Sequence, residues 1–237
     1  GQSWRLTRAQ WRATIIFGIC QNALYLGLNF VAMQTIEASL AAIIASTMPL
    51  LVGLASWALL GERIGLLGGL GLVAGVIGVA VIMGSRLQGG ADLYGLALCV
   101  GGVLALTLAT LTVRGATSGG NFLMIVGVQM LVGSLVLGVA GLSIETIRIE
   151  WSWQLVAAFL YTTLIPGLAA TLVWFKLVNR IGAIKAATFH FLNPFFGVVI
   201  AALILSESLG VWDMVGVVVV MIGILAVQLS RQKQASG

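Results

Sequence analysis

His190 is the only histidine of the chain and lies a few residues from the centre of an apolar run at 183–205. No other conventional titratable side chain sits as deep in such a run. Three chemistries are open to it: exchange of a proton near neutral pH, a hydrogen bond to a carboxylate ligand, or a neutral pairing with a neighbouring helix. No acidic residue shares its depth, so a relay that needs a paired carboxylate has no support. The run at 13–33 carries Thr14, Gly18, Gln21, Asn22, Tyr25 and Asn29 at three- and four-residue steps, which lines one face of a helix. Thr107, Thr110 and Gln129 lie in two further runs, and Asn193 stands beside Pro194. Such groups either hydrogen-bond between helices or meet a ligand. Tyr25 and Tyr161 sit well inside their runs, where a packed tyrosine competes with a ligand-facing one. Trp174 is read either as an interfacial aromatic or as a cavity wall. The candidate cavity set is therefore Asn22, Tyr25, Asn29, Tyr161, Trp174, His190 and Asn193.

A catalytic set is not found: there is no HExxH, no GxSxG, no Walker A sequence and no acidic pair at depth. Cys20 and Cys99 fall inside apolar runs and read as small buried hydrophobes, which leaves a disulfide framework, a metal cluster and a cofactor without support. The elements that must hold the polar groups follow from composition. Of 237 residues 60% are hydrophobic and 8% charged, with a mean hydropathy of +1.11. A water-facing domain carries about 25% charged residues, so soluble folds and disorder are excluded; a net charge of +5 from only 12 Lys and Arg against 7 Asp and Glu argues against nucleic-acid binding. Eight runs are long enough to cross a bilayer: 13–33, 38–60, 66–84, 93–113, 122–142, 154–175, 183–205 and 211–229. Lipid offers no hydrogen bonds to bare backbone, and runs of this length are helices rather than barrel strands.

Short connections make sequential helices antiparallel, and the expected fold is an all-α membrane bundle with no inserted soluble domain. Alternating the loops places ten of the twelve Lys and Arg on the side of the N-terminus and leaves Arg86 and Arg148 on the other. The positive-inside rule then puts both termini in the cytoplasm. The start, Gly1-Gln2-Ser3-Trp4-Arg5, is basic and amphipathic and runs into a full-length span, so it does not read as a secretory signal. Pro49, Pro194 and Pro166 each remove a backbone hydrogen bond near mid-helix, and breaks at membrane depth mark where a cavity is expected.

The chain repeats itself. A shift of 145 residues aligns 26–86 with 171–231 without a gap, and 15 of the 61 positions are identical. Pro49 matches Pro194, Glu62 matches Glu207, Gly71 matches Gly216, Gly78 matches Gly223 and Ser85-Arg86 matches Ser230-Arg231. The copies are five helices apart, and an odd number inverts the second copy relative to the first. Two inverted five-helix repeats are expected. Residues 1–90 form an incomplete first repeat of three helices (13–33, 38–60, 66–84) and 91–231 a second of five (93–113, 122–142, 154–175, 183–205, 211–229); 232–237 form a cytoplasmic tail. The expectation is eight helices of a ten-helix protein that lacks its first two. Glu62 and Glu207 are read as structural, each at the positive end of the helix that follows it. The glycine stripes Gly61-Gly65-Gly69 and Gly71-Gly75 are assigned to close packing or to a homodimer face.

The residues Ala41-Ala42, Pro49, Leu60-Gly61-Glu62-Arg63, Gly71 and Gly78, returning as Ala186-Ala187, Pro194, Leu205-Ser206-Glu207, Gly216 and Gly223, resemble the drug/metabolite transporter superfamily and, within it, the EamA-type permeases. The resemblance covers nearly all of the chain. It implies ten helices in two inverted repeats, cytoplasmic termini, residence in a bacterial inner membrane and export of amino acids or other small metabolites. The implied partners are a small-molecule substrate and membrane lipid, with no nucleic acid. With no acidic residue beside His190, uniport or substrate-driven exchange stands level with proton antiport. A nucleotide-sugar or phosphate-ester carrier is the alternative within transporters, although Arg114, Lys176 and Lys185 reach only the cytoplasmic rim. A membrane-embedded lipid-modifying enzyme is the alternative in another class.

Overall fold

The computed structural model describes residues 6–113, 122–146, 148–181 and 183–236, and their regular structure is entirely helical. In chain order the helices are α1 (Arg8–Ala32), α2 (Ala38–Leu60), α3 (Leu66–Gln88), α4 (Leu93–Val113), α5 (Phe122–Ile144), α6 (153–181), α7 (183–205) and α8 (Val211–Ser236). Seven of them, all but α6, are long and apolar enough over the described residues to cross a membrane. The eighth expected run, 154–175, is helical within α6 but stands outside that count, and several of its side chains are not among those described.

Helix α1 starts earlier than the apolar run does, because Thr7 caps it. The Thr7 hydroxyl accepts from the Gln10 amide at 3.2 Å, and the Gln10 side chain accepts from the Thr7 amide at 2.9 Å. This capping box satisfies two otherwise orphaned donors. Helix α2 ends on Gly61 at φ +67°, and α7 ends on Ser206 at φ +57°. These residues are 145 apart, so the two repeats close the same helix with the same left-handed cap, once with the residue that favours it and once without.

The firmest packing joins α3 and α8, which run antiparallel. A Cβ placed on Gly71 would lie 2.8 Å from the Gly223 carbonyl oxygen, and one on Gly223 would lie 2.7 Å from the Gly71 oxygen. Gly78 and Gly216 show the same reciprocal approach at 2.9 Å each way. Shifted by 145 residues, the contact Gly71–Gly223 becomes Gly216–Gly78. The interface maps onto itself, which is the geometry of a two-fold axis between the helices. Backbones meet here because no side chain intervenes. Around this seam sits the main apolar core, with Leu40, Ile43, Ile82, Val220 and Ile224 almost fully buried.

Helix α1 packs between α4 and α5, where Gly18 lies against the Gln129 backbone and Gly102 against Asn29. Helix α6, onto which the 145-residue shift brings α1, has no such neighbours among the described residues. Every residue from Trp151 to Pro166 is exposed. An apolar helix of this kind needs lipid or further helices around it.

Candidate functional site

Four helices depart from regular α-geometry, and the departures come in repeat-related pairs. In α1 the stretch Gly18–Tyr25 is π-helical, and in α6 Thr163–Ala169 is π-helical. Shifted by 145 residues, 18–24 falls on 163–169. Helix α2 is interrupted at Thr47 and resumes as Met48–Leu60, while α7 passes through a 3₁₀ turn at Phe189–Leu192 and resumes as Asn193–Leu205. These resumed segments are again 145 apart at both ends. Pro49 and Pro194 thus stand at helix breaks, as expected from sequence, but not as interior residues that have lost a hydrogen bond. Each is the second residue of a new segment, where its missing amide hydrogen would have had no intrahelical acceptor. Pro166 does lie inside its π-helical turn. The π-helical stretch of α1 contains no proline or other strong breaker. Gly18, Gln21 and Asn22 are its only unusual residues for a lipid-facing helix.

The candidate cavity residues divide between these breaks. Asn22 in α1 donates to the Gln129 carbonyl of α5 at 3.1 Å. Asn29 donates to the Tyr25 carbonyl at 2.8 Å and accepts from the Cys99 thiol of α4 at 3.3 Å. Both asparagines thus fasten α1 to its neighbours, and Tyr25 lies half-buried between them along the helix. Thr107 and Thr110 return their hydroxyls to the carbonyls of Val103 and Leu106 in α4. At the break in α7, His190 and Asn193 pair through Nδ1 and Nδ2 at 3.0 Å. Pro194 is buried beside them, and Thr188 pairs with Gln232 of α8. Tyr161 is 61% exposed on α6, and the side chain of Trp174 lies outside the described residues. The seven residues therefore form an α1 group and an α7 group, with Tyr161 apart from both. Neither cavity described below is lined by any of them.

Arg86, which sequence alone marks only by its side of the membrane, is the hub of a cluster at one end of the bundle. Its Nε donates to Asp213 Oδ1 at 3.0 Å, its Nη2 lies 2.9 Å from Asp213 Oδ2, and its Nη1 pairs with Glu37. Asp213 is 2% exposed and also accepts from the Gly210 amide at 2.9 Å, capping α8. Glu207 accepts from the amides of Ala38 at 2.8 Å and Ser39 at 3.0 Å. Its carboxylate therefore meets the amide end of α2 and not, as expected from sequence, that of α8, the helix that follows it. Burial opposes the Glu207 charge. The Ser39 hydroxyl beside it, the two amides and the Arg86 guanidinium outweigh that and hold its carboxyl below the ordinary value. Asp92, just ahead of α4, is lowered likewise, by the Thr35 hydroxyl and the amides of Gly95 and Tyr94. A cavity of about 390 Å³ opens on the cluster, lined among others by Thr35, Leu40, Ser85, Arg86, Ser208 and Asp213.

The repeat-related place at the other end is built from Glu62, Arg63, Gly68, Ser230, Arg231 and Gln234, and its cleft measures only about 20 Å³. Arg231 donates to the Val52 carbonyl at 3.2 Å and to the Ser56 hydroxyl at 3.0 Å, with Glu62 at 3.8 Å. Gly68 stands where the other end has Asp213, and Arg63 where it has Ser208. One signal for both clusters was present in the sequence: the doubled Ser-Arg at 85–86 and 230–231.

The sequence profile of the EamA-like transporter family matches residues 1–84 and 93–229. The chain belongs to this family. It is similar to the uncharacterized transporter YvbV of Bacillus subtilis (strain 168), at 26% identity over 225 residues that cover 94% of this chain and 74% of the relative. Protein PecM of Dickeya dadantii (strain 3937) is 24% identical over 247 residues, covering 99% of this chain and 78% of that protein. A crystal structure of a protein at 16% identity superposes with a TM-score of 0.64 over 94% of this chain and 78% of its own, a likeness of fold. An integral membrane protein of a transporter family is the identity these findings carry, and the family's function by name is transport rather than catalysis.

Proposed function

We propose that the chain is part of a secondary transporter that exports amino acids or other small metabolites across a bacterial inner membrane by alternating access between two inverted repeats. The observation that carries this reading is the pairing of the helix breaks: α1 with α6, and α2 with α7, at equivalent places. Irregular backbone at membrane depth is tolerated where it meets protein partners or a water-lined cavity, and transporters of inverted construction bind solute at such breaks. The path then runs between the breaks of α1 and α7, with Tyr25, His190 and Asn193 facing solute, joined by Tyr161 and Trp174 from α6. Asn22 and Asn29 act on the same path as positioning residues, because their amides hold the irregular stretch of α1 against α5 and α4. The distribution of basic residues supports cytoplasmic termini. A phosphate-ester carrier has less support: Arg86, more buried than Arg231 at the other end, is already held by two carboxylates.

Counterflow in proteoliposomes tests the proposal, with a panel of labelled amino acids and small metabolites as probes. At least one solute should exchange above protein-free vesicles. Tyr25→Phe and His190→Gln should each lower flux per folded molecule about tenfold while leaving thermal stability near that of the unmodified chain. Unchanged flux per folded molecule in both variants would remove these residues from the path.

A further inference from the structure

The first segment of α2, Ala38–Ser46, is a helix distinct from the second, Met48–Leu60. It ends at Thr47, whose carbonyl already accepts from Leu50 and Leu51 of the next segment, and Pro49 follows. Its start is held twice by groups from other parts of the chain. Glu207, from the α7–α8 connection, accepts from the first two amides of the piece, and Arg86, from the end of α3, grips Glu37 immediately before it. Arg86 is itself clamped by both oxygens of Asp213 in the first turn of α8. The α3–α8 pair, joined by its seam of backbone contacts, is thus the body to which the first segment of α2 is tied. The cavity of about 390 Å³ ends on this tie, since Glu37, Arg86 and Asp213 line it together with Ile36 and Leu40 of the apolar core. At the opposite end, among the described residues, Glu62 lies 3.8 Å from Arg231 and Gly68 stands at the position of Asp213.

We propose that Ala38–Ser46 is a hinged gate segment, pivoting at Thr47–Pro49 and latched to the α3–α8 body by Glu207 and by the Asp213–Arg86–Glu37 chain. This rests on the transport reading for its purpose, but not for its test. Release of the latch frees the only charged contacts that hold the start of the segment among the described residues. Among the described residues the segment also packs through the apolar core at Leu40, Ile43 and Ile44 and by the close approach of Ala42 to Gly197 of α7.

The test uses the purified full chain in detergent, with Cys20→Ala and Cys99→Ser to remove native thiols. Ala41→Cys is a small change one turn from the latched start of the segment, 4% exposed, and Val220→Cys is a control in the α3–α8 core, 0% exposed. A water-soluble maleimide should modify the Ala41→Cys thiol slowly. It should react about tenfold faster when Glu207→Gln or Glu37→Gln is added, with the Val220→Cys rate unchanged. Arg86→Gln should act in the same direction more strongly, and the two milder variants stand if it fails to fold. An unchanged Ala41→Cys rate in a folded Glu207→Gln protein overturns the latch. A parallel rise at Val220→Cys also overturns it, since the loosening is then general. Absence of solute flux in the unmodified protein would end the transport reading while leaving these rates to decide the latch.

Discussion

Individual residues in this fold matter through what they leave no room for and through the charges they hold. Gly71 and Gly78 meet backbone, which cannot step aside, whereas Gly69 has nothing within 4 Å of a Cβ. Gly71→Ala should therefore lower stability by about 1–3 kcal/mol through overpacking. Gly69→Ala should be neutral or raise stability by up to about 1 kcal/mol through helix propensity. Thermal unfolding of the two variants in detergent checks the contrast. Glu207 makes a second expectation specific. Its folded pKa lies below its ordinary value of 4.5, so its contribution is fully present above that value and is lost as pH falls through the folded pKa. Glu207→Gln should lower stability near neutral pH by about 0.5–2 kcal/mol, the range for loss of a helix cap. The gap to the unmodified protein should narrow in acid below about pH 4.5. A gap independent of pH would mean that the carboxylate charge does not hold the cap.

At the scale of elements, the paired breaks are the feature with consequences. Pro49 is the second residue of its segment, so Pro49→Ala should change stability by less than about 1 kcal/mol, far below the roughly 3 kcal/mol scale of an interior proline. A large gain on substitution, measured by the same unfolding, would show that the proline strains the helix. The interruption at Pro49 and Pro194 was legible in the sequence because proline is rare and leaves a local signature. The π-helical stretch of α1 was not: no proline marks it, and it coincides with packing against α5, where Gly18 and Asn22 meet the Gln129 backbone. The same limit hid the hub at Arg86. Its partners Glu37 and Asp213 are 49 and 127 residues away, and Glu207 reaches Ala38 across 169. Spacing along one helix carries no information about such contacts. Asn22 and Asn29 were visible as polar groups at helical steps, but only the fold gives them partners on α5 and α4.

At the scale of the molecule, one relation organises the rest: α3 and α8 cross at a seam that maps onto itself under the 145-residue shift. That relation was readable as a repeat because Pro, Glu and Arg recur in register, and the seam gives it an antiparallel geometry. The two ends of the bundle then become related but unequal, one with three carboxylates around Arg86 and the other with Glu62 near Arg231. Sidedness is the most direct measurement of this inversion. Arg63 and Ser208 are repeat-equivalent and exposed. Arg63→Cys and Ser208→Cys, each in the background lacking native thiols, are to be labelled in intact cells with a membrane-impermeant maleimide, and again after permeabilisation. Ser208→Cys should react in intact cells and Arg63→Cys only after permeabilisation. Labelling of both from the same side of the membrane would contradict the inverted repeat.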